Sequence, residues 1–193
     1  MFALFFADRD DPALVENGPY KPFSVSHIFV TLIAFILVYL MVRQIKNRPF
    51  KTRHKWACAA YIFLVSLNVV RLTWDISTEQ FEITQDLPLQ LCGIQMFVLP
   101  IVLFSRGRFS ICLREFAYTY GIIGFLLALL LPLTTLYDYP VFHFRTIQSI
   151  LYHAALGFIA FMLPHLDYQP DIKNVHAARV RRFYRCSQLF YRQ

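Results

Sequence analysis

The chain has 193 residues, of which 57% are hydrophobic and 16% charged, and it carries a formal net charge of +7. So little charge over this length argues against a soluble domain, and aromatic residues at 17% add to the apolar bulk. The basic residues fall between long apolar runs instead of lining one soluble face, so the charge reads as membrane topology and not as a nucleic-acid surface.

The first residues, Met1–Phe6, are apolar, but Asp8, Asp10 and Asp11 follow at once. The segment lacks the basic start and long apolar core of a cleaved signal peptide. Residues 1–23 are therefore expected to form an extracytoplasmic amino-terminal segment. Five spans then follow, each close to the ~20 residues a helix needs to cross the hydrocarbon. They are Ser24–Val42, Trp56–Trp74, Leu87–Phe104, Leu113–Leu133 and Val141–Leu163. The third is the shortest, and Pro100 is expected to bend it. In the fourth, Ala117, Gly121, Gly124 and Ala128 form a small-residue seam suited to close helix packing.

The charges alternate at every crossing. The first connection holds Arg43, Lys46, Arg48, Lys51, Arg53 and Lys55 with no acid. The second holds Asp75, Glu79, Glu82 and Asp86 with no base. The third is basic again with Arg106, Arg108 and Arg114, and the fourth holds only Asp138. Basic connections stay in the cytoplasm. The predicted fold is thus an all-α transmembrane bundle of about five spans over residues 24–164, with its amino terminus outside and its carboxyl terminus in the cytoplasm. It is expected in the cell membrane. Residues 165–193 form a basic cytoplasmic tail. Val180, Phe183, Tyr184, Phe190 and Tyr191 fall on one helical face opposite most of its arginines. An amphipathic helix on the anionic leaflet, a disordered basic tail and part of a further span all fit.

Polar groups in hydrocarbon need partners, and here they cluster toward one side. His27 and Thr31, Asn68 and Arg71, Gln90, Cys92 and Gln95, and His143, Arg145, Gln148, Ser149, Tyr152 and His153 all lie in outer halves or near mid-span. The inner halves, such as Phe35–Met41 and Ala154–Leu163, are almost wholly apolar. Arg145, Ser149 and His153 form an i, i+4, i+8 stripe, and Cys92 and Gln95 share a face. One polar cavity opening toward the outer leaflet follows. Trp74, Tyr137 and Tyr139 fit an interfacial belt. Cys58, Cys92, Cys112 and Cys186 have no metal-ligand spacing. No metal or other cofactor is expected.

The segment LPLQLCGI, Leu87–Ile94, resembles the L-P-L-H-L-C signature of the YwaF-like family of integral membrane proteins. The segment YPVFHFRTIQSILYHAALG, Tyr139–Gly157, is similar to that family's second signature, an aromatic-rich run ending in a His within a helix. His27 and Pro132 also fit, and the resemblance covers about residues 20–170. Gln90 departs from the family's His. A eukaryotic relative is a lipid acyltransferase that is thought to use a membrane-embedded Cys and His. The resemblance implies those roles for Cys92 and His153.

Such a pair suits acyl transfer, because the thiolate is the nucleophile and an imidazole can take its proton. Arg71 or Arg145 could hold a lipid phosphate. Asn68, Gln90 or Gln95 could donate to an oxyanion. His27, Arg71, Asn68, Gln95, Arg145 and Gln148 are thus candidate substrate-binding residues, with a membrane phospholipid as substrate. Bland readings stand beside these. Cys92 could be an inert core thiol, His27 helix glue, and Arg71 the partner of Asp75 one turn away. Counted from the outer ends, His153 lies ~10 Å deeper than Cys92, and His143 is the shallower alternative base. A binder or transporter of a small polar or anionic solute, and a structural subunit with a membrane-protein partner, are the competing functions.

Overall fold

A computed structural model describes residues 5–7, 11, 12, 14, 21–81, 83, 91–105, 108–131 and 139–166, with the side chains of residues 91, 108, 109, 111 and 112 left out. Within these residues lie five α-helices: α1 Val25–Ile45, α2 Phe50–Ser77, α3 Leu91–Phe104, α4 Arg108–Leu130 and α5 Phe144–Met162, the last running into a 3-10 turn, Leu163–His165. Four of them, α1, α2, α4 and α5, are long and apolar enough to cross a membrane. The protein is an all-α transmembrane bundle.

The helix ends follow local chemistry. Ser24 caps α1 by accepting a hydrogen bond from the His27 backbone N–H, which satisfies one of the donors a helix start leaves open. The turn Asn47–Arg48–Pro49 then reverses the chain, and α2 begins directly after Pro49, a residue whose fixed φ suits a helix start. α2 is longer than the predicted span at both ends. At its start Lys51 and Lys55 are exposed, and long basic side chains can carry their charge past the apolar boundary.

α3 is the exception in length. Its 14 residues rise only ~21 Å, short of the ~30 Å hydrocarbon thickness. Leu87–Gln90, the part of the predicted third span ahead of it, lie outside the described residues, as do Pro132 and the tail 167–193. Pro100 sits inside α3 and has no N–H to offer the carbonyl four residues back. That carbonyl belongs to Met96, and the Tyr61 hydroxyl donates to it at 3.1 Å from α2.

The helices alternate in direction. One end of the bundle carries Asp75 and the start of α5, and is called here the acidic end. The other carries Lys46–Lys55 and the end of α3, the basic end. α5 is the hub. Of its most apolar 18-residue window, 67% is buried inside the bundle, against 17–22% for α1, α2 and α4. It packs mainly on α4 and α2, and then on α1. Leu64, Leu99, Phe125, Leu156, Phe158, Ile159 and Met162 are almost fully buried in the core around it. The outward faces of α1, with Phe29, Leu32, Ile36 and Leu37, remain exposed and apolar, as a lipid-facing helix requires.

The small residues expected on the fourth span make the α4–α5 contact. A Cβ added at Gly121 would fall 2.8 Å from Ala160 Cβ, and one at Gly157 would fall 2.5 Å from the Phe125 ring. Ala117 is buried on the same seam. Close backbone approach of this kind drives helix association where lipid removes the hydrophobic driving force. Gly157→Ala is therefore expected to lower stability by about 1–3 kcal/mol, the usual cost of overpacking, as read by thermal unfolding of the detergent-solubilised protein. Adding Phe125→Leu should restore part of the loss.

Candidate functional site

The buried polar side chains are unevenly placed. Among the described residues they are His27, Thr31, Asn68, Asp75, Gln95, Ser110, His143, Thr146 and Gln148, and all but Ser110 lie in the half of the bundle toward the acidic end. The predicted clustering of polar groups at one depth is present, on α1, α2, α3 and α5.

Most of these groups are committed to main chain. The His27 Nε2–H donates to the Leu129 carbonyl at 2.8 Å, and Thr31 Oγ1 donates to the same oxygen at 3.2 Å. Leu129 is in the last turn of α4, where carbonyls have no partner within their own helix. His27 Nδ1 in turn accepts from the Phe23 N–H at 2.9 Å. Both ring nitrogens thus join backbone groups, and His27 closes the α1–α4 contact, the helix-glue role. On α5, Gln148 Nε2 donates to the Leu67 carbonyl of α2 at 3.3 Å. Asn68 Nδ2 donates to Met96 Sδ at 3.5 Å.

The charged residues converge at the acidic end. Asp75 is fully buried, and its Oδ2 accepts from Arg145 Nη1 at 2.7 Å; Arg71 Nη1 lies 3.8 Å from the same oxygen. Arg71 is one turn from Asp75 on α2, as its spacing suggested, but Arg145 reaches across from α5 and makes the shorter contact. Its guanidinium also lies 5.9 Å from the Trp74 ring centroid. His143 caps α5 by accepting from the Arg145 N–H at 3.2 Å. Its Nε2–H donates to the Ala7 carbonyl at 3.0 Å, and its ring stacks on Tyr139 at 4.2 Å. These bonds make His143 an anchor of the α5 start.

Near the bundle centre are the two residues singled out for chemistry. Cys92 is in the first turn of α3, and a Cβ on Gly124 would come within 3.1 Å of its Sγ and 3.6 Å of Leu156 Cδ2. Tyr152 donates its hydroxyl to the Cys92 carbonyl at 2.9 Å, pinning α3 to α5. His153 follows on α5. Its Nδ1–H donates to the Ser149 carbonyl at 2.8 Å, with Ser149 Oγ at 3.5 Å. That bond fixes the tautomer and leaves the Nε2 lone pair unused. The Cys92 thiol and the His153 imidazole share no hydrogen bond in this structure.

One side chain in this region stands out. Gln95 is fully buried, and neither its amide nitrogen nor its amide oxygen has a hydrogen-bond partner. It lies three residues after Cys92, on the same helix face. Leaving a buried polar group unsatisfied costs about 1–3 kcal/mol, and such groups in a folded protein call for an explanation.

The sequence assigns no chemistry to a second thiol, Cys58. Cys58 Sγ lies over the His54 ring, 3.6 Å from Nδ1 and 3.9 Å from Nε2, and His54 Nε2 donates to the Leu103 carbonyl at 2.9 Å. The i, i+4 spacing on α2 was the available signal. Gln90 and Asp138 lie outside the described residues. Among the described residues no three His, Cys, Asp or Glu side chains group as they would around a metal.

These features define a multi-pass helical membrane protein with a polar interior toward one end. The TMEM164 family profile matches residues 22–181, and the chain belongs to the TMEM164 family. No curated protein and no solved structure gives a significant match.

The carboxylate between two guanidiniums offers a test of the packing. Asp75→Asn is expected to destabilise the protein by about 3 kcal/mol, because it leaves two part-buried guanidiniums facing each other without their shared anion. Thermal unfolding of Asp75→Asn, Arg145→Ala and the double variant should show that the Asp75 change costs clearly less once Arg145 is gone.

Proposed function

We propose that this protein is a membrane lipid acyltransferase in which Cys92 carries the acyl group and His153 moves the proton, the activity that its resemblance to the YwaF-like proteins implies. The observation that carries the reading is the orphaned Gln95 carboxamide one turn from Cys92. An amide that has no partner in the resting protein can donate to an oxygen that becomes negative only during reaction.

In the proposed step the Cys92 thiol loses its proton to His153 Nε2 as its sulfur attacks an acyl ester carbonyl of a phospholipid. The oxyanion that forms accepts from Gln95 Nε2. The C–O bond to the lipid then breaks, and His153 returns the proton to the departing lipid hydroxyl. A second lipid hydroxyl attacks the resulting thioester by the same path in reverse. The thiol and the imidazole do not touch in the resting geometry, and catalytic hydrogen bonds commonly tighten only once substrate is seated. Arg71 and Arg145, already paired to one Asp75 oxygen, lie toward the acidic end, where they would meet the lipid phosphate. Arg145 is just over two turns of α5 from His153, ~12 Å along the axis. With the basic connection 43–55 in the cytoplasm, this end faces the outer leaflet of the cell membrane and the amino terminus lies outside.

The converging guanidiniums also favour a second reading, an anion-binding protein without covalent chemistry. The two separate on one experiment. The purified protein in lipid nanodiscs is given a phospholipid bearing an alkyne-tagged acyl chain, and the label on each cysteine is mapped after proteolysis. The wild type should carry a hydroxylamine-sensitive acyl group on Cys92, and Cys92→Ser should lose it. Gln95→Ala should slow labelling about 10²–10³-fold, as loss of an oxyanion donor does elsewhere. His153→Gln should slow it about 10²–10⁴-fold. Equal labelling of the Cys92→Ser protein, or none in the wild type, sinks the enzyme reading; phosphate-lipid binding that persists in Cys92→Ala and fails in Arg145→Ala would then support the binder.

A further inference from the structure

The Tyr152 hydroxyl sits against the backbone of Cys92. It donates from α5 to the Cys92 carbonyl at 2.9 Å. That acceptor has another partner, because inside a helix such as α3 the carbonyl of residue 92 faces the N–H of residue 96. The hydroxyl therefore makes a second bond to an oxygen that does not depend on it. Other side chains that cross between helices differ in this respect. His54 and Tyr61 each serve a carbonyl that a helix end or a proline leaves short. A hydroxyl hydrogen rotates to suit its acceptor, so Tyr152 can release its bond and leave no buried carbonyl unsatisfied.

Its surroundings put this donor where an acyl transfer needs one. Tyr152 is buried, and its ring meets that of His153 edge-on at 5.4 Å. Its hydroxyl is within electrostatic reach of both the Cys92 thiol and the Arg71 guanidinium. A lipid with its phosphate at Arg71 and its ester carbon at Cys92 would pass this hydroxyl. Gln95 Nε2, which has no partner, stands on α3 one turn beyond Cys92. Tyr152 approaches the same cysteine from α5. An oxyanion accepts from more than one donor, and both tyrosine and glutamine are among the side chains that serve it.

We infer that Tyr152 is a catalytic residue of the acyl transfer proposed above, the second donor to its oxyanion; the inference rests on that reading. As the Cys92 sulfur attacks the ester carbon, a C–S bond forms and the carbonyl electron pair moves onto oxygen. The hydroxyl turns from the Cys92 carbonyl to this oxygen, beside Gln95 Nε2. When the C–O bond to the lipid breaks, the carbonyl re-forms on the thioester and the hydroxyl returns to the Cys92 backbone. Tyr152 gives up no proton; the proton passes from thiol to His153 to the departing lipid hydroxyl. The exchange favours the transition state because the acceptor left behind is neutral and the new one is charged. Hydrogen bonds to an ionised acceptor are roughly twice as strong as neutral ones, and a gain made only during reaction is what raises the rate.

The test uses the full chain purified in nanodiscs, with the alkyne-tagged phospholipid as acyl donor, and compares the wild type with Tyr152→Phe, which keeps the ring. Acylation of Cys92 should slow about 10²–10³-fold, the cost of losing one oxyanion donor elsewhere. Alkylation of Cys92 by iodoacetamide, a displacement that forms no oxyanion, should keep the wild-type rate. The unfolding temperature should stay close to that of the wild type, since the Cys92 carbonyl keeps its helical partner. A hydroxyl that only clamps α3 to α5 predicts otherwise: both thiol reactions change together and the unfolding temperature falls. That pattern, or acylation of Tyr152→Phe at the wild-type rate, would overturn the inference and leave Cys92 as the nucleophile. A wild type that acquires no acyl group would remove the enzyme reading itself, and this inference with it.

Discussion

A carbonyl at a helix end, or one facing a proline, has no water to turn to inside hydrocarbon. This bundle meets that constraint with side chains sent across from neighbouring helices. His27 and Thr31 of α1 donate to Leu129 at the end of α4. His54 of α2 donates to Leu103 at the end of α3. Tyr61 of α2 donates to Met96, the carbonyl that Pro100 leaves open. Ser110 of α4 donates to Ser105 just past α3. Each bond satisfies an orphan acceptor and also fixes the depth of one helix against another, so pairing and register come from the same contacts. Five polar side chains of the bundle are used up in this way.

α5 gathers these constraints because it has little lipid face to spare. Its flank of Gly157 and Ala160 lets α4 approach to backbone distance. Its polar flank sends Gln148 to α2, Tyr152 to α3 and Arg145 to the carboxylate of α2. A helix so enclosed cannot shift by a turn without breaking bonds to several partners at once. It is therefore the natural carrier for any group that must be held at a fixed depth, and His153 lies on it between Tyr152, which grips α3, and Leu156, which packs beneath Gly124.

How far the sequence could be read follows from what periodicity encodes. Long apolar runs and alternating loop charge mark α1, α2, α4 and α5, since each run must match the hydrocarbon thickness. The Gly121–Gly124 seam was legible because small residues one turn apart have few other uses in a membrane helix. The side on which Asn68, Gln95, Arg145 and Gln148 lie was legible too, because lipid forbids the alternative. Their partners were not. Spacing assigns a face, but not which helix stands opposite or which of its atoms is short of a bond. Hence Arg145 reaches Asp75 from seventy residues away, and His27 meets the Leu129 carbonyl of α4. His54 escaped notice because it sits among lysines and arginines, where an imidazole reads as one more basic loop residue.

The two thiols whose side chains are described stand in different company. Cys92 has the unpartnered Gln95 amide one turn away; Cys58 lies over the His54 ring, 3.6 Å from one nitrogen and 3.9 Å from the other. Stabilising an oxyanion and removing a proton are separate demands, and the acyltransferase reading proposed above has to meet both at Cys92. The base proposed for Cys92 is one helix away, on a residue whose Nδ1 bond to Ser149 keeps its other nitrogen bare. A substrate entering between α3 and α5 would have to bring thiol and imidazole together. Under that reading the buried Gln95 amide would answer the first demand and His153 the second, since attack on an unactivated lipid ester needs both a proton acceptor and an oxyanion donor.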